Sequence, residues 1–253
     1  MRDHVVFVTG ASAGIGAAIA RRFAREGARL VLTARRRDKL QALAAELASQ
    51  AETHLLTLDV RDAAAVHAAF DGLPAQFRDV SILVNNAGIA LGMDKAQDAN
   101  VADWDVVVDT NIKGVLHCTR AALPGMIARD RGHVINLGSV AGTYAYPGGN
   151  VYGATKAFVA NFSLNLRADL LGSRVRVTDV EPGMVEGTEF TTVRLRGDEA
   201  RAKKIYEGFQ PLTPEDIAES VAWCAMQPAH VNVNRLELMP VMQAFAGFAV
   251  KRS

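Results

Sequence analysis

Apolar positions follow two rhythms along the 253 residues. Short runs of Val, Ile and Leu occupy 5–8, 29–33, 54–58, 81–85, 133–137, 174–180 and 233–238. Between them, stretches at 15–26, 38–50, 63–71, 101–128, 152–171 and 214–226 carry apolar residues three and four apart. A run that is apolar throughout is a strand buried on both faces; a spacing of three and four is one face of a helix. Strands alternating with helices predict an α/β domain built on a doubly wound, seven-stranded parallel sheet.

One connection breaks the rhythm. About thirty residues separate the sixth strand from the helix at Pro214, and a long insertion at the C-terminal edge of a parallel sheet predicts a lid, placed at about 184–212. Thr213-Pro214-Glu215-Asp216 then opens the next helix, with Thr213 as cap, Pro214 in the first helical position and acids in the first turn.

Composition narrows the class. Hydrophobic residues make up 49% and charged residues 22%, enough apolar material for one sizeable core. The net charge of +1 favours neither nucleic acid nor an anionic membrane as partner. Cys118 and Cys224 sit in apolar helical stretches with no metal-type spacing, which reads as two reduced structural thiols and no metal. No run is long enough to span a bilayer, and the first strand begins too early for a secretion signal, so a cytoplasmic protein is expected.

Candidate chemistry starts where strand one meets helix one, at Thr9-Gly10-Ala11-Ser12-Ala13-Gly14-Ile15-Gly16. Glycines here let the backbone approach a pyrophosphate, and the free amides of the new helix face the anion. The tip of strand two reads Thr33-Ala34-Arg35-Arg36-Arg37, with no acid before Asp38. Guanidinium forks suit a 2′-phosphate, so NADP is favoured over NAD, with Arg35 the first choice and Arg36 the second. Asp59-Val60 is placed to face the adenine. Asn86, Ala87 and Gly88 follow strand four, either along the cofactor or as a capped turn.

Tyr152 and Lys156 lie four residues apart on a helix and share a face. A phenol is a poor base near neutrality; an ammonium one turn away, with an oxidised nicotinamide's charge, would lower its pKa. Lys156 can also hold the nicotinamide ribose hydroxyls. Ser139 follows strand five and can hydrogen-bond a reacting oxygen. Asn111 can turn its amide toward a water behind Lys156, or simply make a local bond.

Together these motifs resemble the short-chain dehydrogenase/reductase superfamily over essentially the whole chain: Thr-Gly-x-x-x-Gly-x-Gly at 9–16, Asn-Asn-Ala-Gly at 85–88, Asn111, Ser139, Tyr152, Lys156 and Pro182-Gly183. The resemblance implies a single-domain Rossmann fold with strand order 3-2-1-4-5-6-7. It also implies an Asn111, Ser139, Tyr152 and Lys156 tetrad, and Pro182, Gly183 and Val185 along the cofactor. Segments such as Gly148-Gly149-Asn150-Val151-Tyr152-Gly153-Ala154-Thr155-Lys156 and Gly187-Thr188-Glu189-Phe190 are similar to the NADP-dependent 3-hydroxy acid dehydrogenases, which include serine 3-dehydrogenase and L-allo-threonine dehydrogenase. That group implies a homotetramer acting on the β-hydroxyl of short 3-hydroxy acids, or on the matching 3-oxo acids and semialdehydes. Glu186 and the segment after Gly197 depart from it.

A hydroxy acid needs its carboxylate held, and Arg194, a basic side chain in the lid, is the candidate beside a solvated reading of the same residue. Tyr146, Met184 and Val185 are further pocket candidates. The rival functions are a broad NADPH-dependent carbonyl or ketone reductase and an NADP-binding redox-sensing module without catalysis.

Overall fold

A computed structural model of the chain describes residues 1–245. Seven strands form one parallel sheet: β1 (Val5–Thr9), β2 (Arg29–Ala34), β3 (Thr53–Thr57), β4 (Val80–Asn85), β5 (Gly132–Leu137), β6 (Val175–Pro182) and β7 (Arg235–Leu238). Their order is β3-β2-β1-β4-β5-β6-β7. Side chains alternate across each strand, so the apolar runs feed two cores. Val6, Val8, Leu30 and Leu32 face α1 (Gly14–Arg25), α2 (Arg37–Leu47) and α9 (Pro214–Met226). Val5, Phe7, Val31 and Leu83 face α3 (Ala63–Asp71), α5 (Gly114–Ala128) and α6 (Asn150–Asp169). Each fully buried Phe or Leu contributes about 1.5–3 kcal/mol, so both faces must be covered.

The chain reverses direction across the sheet between β3 and β4, which sets β1 beside β4 and opens a crevice at their carboxyl ends. Thr9 and Asn86 tie this junction. Thr9 Oγ1 accepts from the backbone amides of Asn86 and Ala87 at 3.0 and 2.9 Å, and Asn86 Nδ2 donates to Thr9 O at 2.8 Å.

One expectation needs correction. The helix read over 101–128 is interrupted: α4 (Val101–Val108) and α5 are joined by a wider turn over Asp109–Lys113, in which Gly114 N–H donates to Asp109 O. A widened turn inserts one extra residue and re-aims the side chains within it, here Asn111. The connection from β6 to α9, expected as a lid, has secondary structure of its own. It carries α7 (Phe190–Arg194) and α8 (Glu199–Lys204), and is tied down by a bridge between Val185 and Leu212. Thr213 caps α9 reciprocally with Asp216, as its sequence suggests. Among the described residues no helix is long and apolar enough to cross a membrane.

Candidate active site

A cavity of about 790 Å³ runs along the carboxyl edge of the sheet, from Arg35 at one end to Tyr152 and Arg194 at the other. Its walls include Gly10, Ser12, Ala13, Gly14, Ile15, Arg35, Arg36, Asp59, Val60, Asn86, Ala87 and Gly88 from the predicted cofactor set. Ser139, Tyr146, Tyr152, Lys156, Pro182, Gly183, Met184, Val185 and Arg194 complete it. Gly16 and Asn111 do not line it. A Cβ on Gly16 would stand 2.4 Å from Gly10 O, so this glycine serves the close approach of α1 to the loop.

At the nucleotide end, no side chain caps α1, whose N-cap is Ala13. The first amides of the helix are thus left to an anion. Arg36 donates to both carboxylate oxygens of Glu189 at 3.0 and 2.7 Å, and to Ser12 Oγ at 3.1 Å. Arg61, which the sequence reading missed, clasps Asp59 at 2.6 Å and holds its carboxyl below the usual range. Arg35, Arg36 and Arg61 therefore surround one end of the cavity, a donor set matched to a phosphate on the adenosine ribose.

At the other end, Tyr152 and Lys156 come from the first two turns of α6, with Lys156 Nζ 5.9 Å from the phenol ring centre. Lys156 Nζ donates to Leu137 O at 2.6 Å, and burial lowers its pKa to about 8. The Tyr152 phenol is pushed up to about 12 by burial; the Ser139 hydroxyl and the Arg194 charge oppose this. The Arg194 guanidinium stands 5.5 Å from the same ring centre, and desolvation of the phenol outweighs its charge. Ser139 Oγ accepts from Ala141 N at 3.2 Å and donates to Pro182 O at 3.4 Å. Asn111 is committed elsewhere. Its Oδ1 accepts from Ile89 N at 2.8 Å, while Nδ2 donates to Ile89 O at 2.9 Å and Thr155 Oγ1 at 3.0 Å.

Arg194 is not a solvated side chain; only 8% of it is exposed. Nε donates to Gly92 O at 3.1 Å, Nη1 to Tyr146 Oη at 2.8 Å and Nη2 to Gly148 O at 2.9 Å. All three acceptors are neutral, and among the described residues no carboxylate pairs with it. Phe190 of α7 packs on the Tyr152 ring with centres 5.5 Å apart. Glu189 and Phe190 lie in a segment the sequence had singled out by resemblance alone; nothing in their local pattern marks them.

The tyrosine–lysine pair, the serine and the uncapped glycine loop on this sheet order now stand together, and a family model described as short chain dehydrogenase matches residues 4–198. The chain belongs to the short-chain dehydrogenase family. This dehydrogenase is 57% identical over 249 residues to the NADP-dependent 3-hydroxy acid dehydrogenase YdfG of Salmonella typhi, covering 98% of this chain and 100% of the relative. It is 53% identical to sulfoacetaldehyde reductase 2 of Chromohalobacter salexigens, covering 99% of each. Among solved structures it superposes on a closed serine dehydrogenase complexed with NADP⁺ with a TM-score of 0.95 at 53% identity, covering 98% of this chain and 100% of the other. The dehydrogenase is therefore an oxidoreductase with a single-domain Rossmann-type fold.

Proposed function

We propose that this dehydrogenase uses NADP to oxidise the β-hydroxyl of short 3-hydroxy acids, of the serine, allo-threonine, 3-hydroxypropionate or 3-hydroxyisobutyrate type, and reduces the matching 3-oxo acids and semialdehydes. The observation that carries the substrate class is Arg194: a buried guanidinium with only neutral partners, beside Tyr146 and over Tyr152. A buried cation with no counter-ion favours an anionic ligand strongly. The NADP-dependent and serine-directed relatives support the same reading.

The residues present fit the cofactor. Gly10, Ser12, Ala13, Gly14 and Ile15 would hold its pyrophosphate, Arg35 and Arg36 its 2′-phosphate, and Asp59 and Val60 its adenine. Ala87, Gly88, Pro182, Gly183 and Val185 line the rest of its path, and Lys156 meets its nicotinamide ribose. When bound, NADP supplies the hydride acceptor and, in its oxidised ring, a positive charge near the phenol.

Tyr152 Oη takes the proton from the substrate hydroxyl in oxidation and returns it in reduction. Ser139 Oγ holds the same oxygen. Arg194 anchors the carboxylate, with Tyr146 and Met184 closing the pocket. Asn111 keeps the Ile89 backbone and α6 in register behind the site. The α7–α8 segment acts as the lid that excludes water from the reaction. Exposed apolar side chains on α5 and α6 (Ile127, Leu164) and on α9 (Trp223, Met226) suit the helix-paired faces of a homotetramer.

The test is a panel of substrates followed by NADPH absorbance: L-serine, L-allo-threonine, 3-hydroxyisobutyrate and 3-hydroxypropionate against uncharged alcohols of equal size. Preference for the acids is expected. Equal rates would favour the broad carbonyl reductase, and NADPH binding without any turnover would favour a sensing module. A short sulfonate aldehyde belongs in the panel, because a guanidinium fork accepts a sulfonate as it does a carboxylate.

A further inference from the structure

Arg194 meets an anionic group on the substrate, and its surroundings decide what else that substrate can carry. Among the described residues two acids line the cavity, Asp59 and Glu189. Both are taken by arginines of the nucleotide end. Arg61 clasps Asp59 at 2.6 Å, and Arg36 holds the two oxygens of Glu189 at 3.0 and 2.7 Å. Asp179 and Glu181 of β6 are 2% and 1% exposed and do not line the cavity. Residues 246–253, beyond the described part, contain no Asp or Glu.

At the substrate end, the charged and titratable groups among the described lining residues are cations and phenols. α6 supplies Tyr152 and Lys156, α7 supplies Arg194, the segment after β5 supplies Tyr144 and Tyr146, and Tyr206 follows α8. The carbonyls here are already engaged. Gly92 O and Gly148 O accept from Arg194 at 3.1 and 2.9 Å, Leu137 O from Lys156 at 2.6 Å and Pro182 O from Ser139 at 3.4 Å. Tyr146 Oη accepts from Arg194 Nη1 at 2.8 Å, so its own proton is left to donate. Bound NADP⁺ adds one more positive charge. Such a place suits a carboxylate and opposes an ammonium, because a buried charge without a partner is costly and cations repel at short range.

Serine and allo-threonine carry an ammonium on the carbon between the hydroxyl-bearing carbon and the carboxylate. With Tyr152 and Ser139 on the hydroxyl and Arg194 on the carboxylate, that ammonium is confined to the end of the cavity that already holds two cations and no acid. We propose that the site selects against an α-ammonium: 3-hydroxy acids without an amino group are its better substrates, and 2-amino-3-hydroxy acids react only with the amine neutral, its proton left in solvent. This rests on the reading of the site as one for 3-hydroxy acids, and names the charge state of the substrate that it accepts. The amino acid is then a substrate that titrates by itself, and its rate rises with pH without any change of charge on the enzyme.

3-Hydroxyisobutyrate isolates the effect, since it has a methyl where serine has the ammonium. The experiment measures kcat/KM of the unaltered protein for the two compounds, each as both enantiomers, from about pH 7 to about pH 10, together with an uncharged alcohol of equal size. Taking the ratio at each pH cancels titrations of the enzyme, Tyr152 and Lys156 included. Near neutrality 3-hydroxyisobutyrate should lead serine by about 100-fold. The lead should shrink about tenfold per pH unit as pH rises, and level off above the amine pKa of serine. A ratio that stays flat with pH overturns the proposal, and so does failure to oxidise serine above that pKa, even where 3-hydroxyisobutyrate far outpaces the uncharged alcohol. If 3-hydroxyisobutyrate and the uncharged alcohol are turned over equally, the acid reading itself falls, and this proposal with it.

Discussion

Arg194 Nη1 donates to Tyr146 Oη at 2.8 Å, and the same guanidinium stands 5.5 Å from the centre of the Tyr152 ring. One side chain of α7 thus touches the pocket wall and sits over the reacting phenol. Removing it should damage anionic substrates selectively. For Arg194→Ala, kcat/KM for a 3-hydroxy acid should fall by roughly 30- to 1,000-fold, about 2–4 kcal/mol. An uncharged ketone should lose far less. Equal losses for the two substrates would remove Arg194 from carboxylate recognition and leave it a packing residue.

At the opposite end of the cavity, Arg36 is already paired to Glu189, while Arg35 has no ion-pair partner among the described residues. Both guanidiniums can still turn a free N–H toward a phosphate. Arg35→Ala and Arg36→Ala should each raise the KM for NADP by about tenfold, with the KM for NAD nearly unchanged. Kinetics with the two dinucleotides side by side check this. A loss of equal size with NAD would show that the arginines support the fold of the loop rather than the extra phosphate.

Much of this was legible in the chain itself. Runs such as 5–8 and 30–32 are apolar at every position because both faces of β1 and β2 are covered, and this predicts a parallel sheet. The glycine loop, Tyr152, Lys156 and Ser139 converge because each follows directly on a strand or opens a helix at the same sheet edge. The widened turn at Asp109–Lys113 was not legible, since one extra residue hardly disturbs a spacing of three and four. Arg61 was hidden because its role depends on Asp59 being fixed two residues earlier. Asp179 and Glu181 stand at alternate positions of β6, and their burial shows only in the fold. The burial of Arg194 depends on Gly92, Tyr146 and Gly148, nearly fifty residues or more away, and no local pattern carries that.

Acid should weaken the fold through His4. Burial, then the charge of Arg131, lowers its pKa from 6.5 to about 4. The neutral ring accepts from Arg131 Nη2 at 3.0 Å through Nε2, and its Nδ1 lies 3.0 Å from Ser81 Oγ. A depressed folded-state pKa means that this stabilisation is complete above 6.5 and is lost as pH falls toward 4. For a partly exposed ring the loss is on the order of 1 kcal/mol. Thermal unfolding across that window should show a flatter pH dependence in His4→Gln than in the unaltered protein. Identical slopes would assign the acid sensitivity to other groups, His133 foremost, whose buried ring also resists protonation.

Proton transfer at the Tyr152 hydroxyl is the step on which the catalytic reading stands, and Tyr152→Phe removes that one oxygen while keeping the ring that packs against Phe190. The decisive measurement is single-turnover oxidation of the preferred 3-hydroxy acid by Tyr152→Phe with NADP at saturation, alongside NADPH affinity. A fall in rate of roughly 10²- to 10⁴-fold with affinity close to that of the unaltered enzyme is the expected result. A rate within about twofold of the unaltered enzyme, far short of that loss, would contradict it and place the proton on another group.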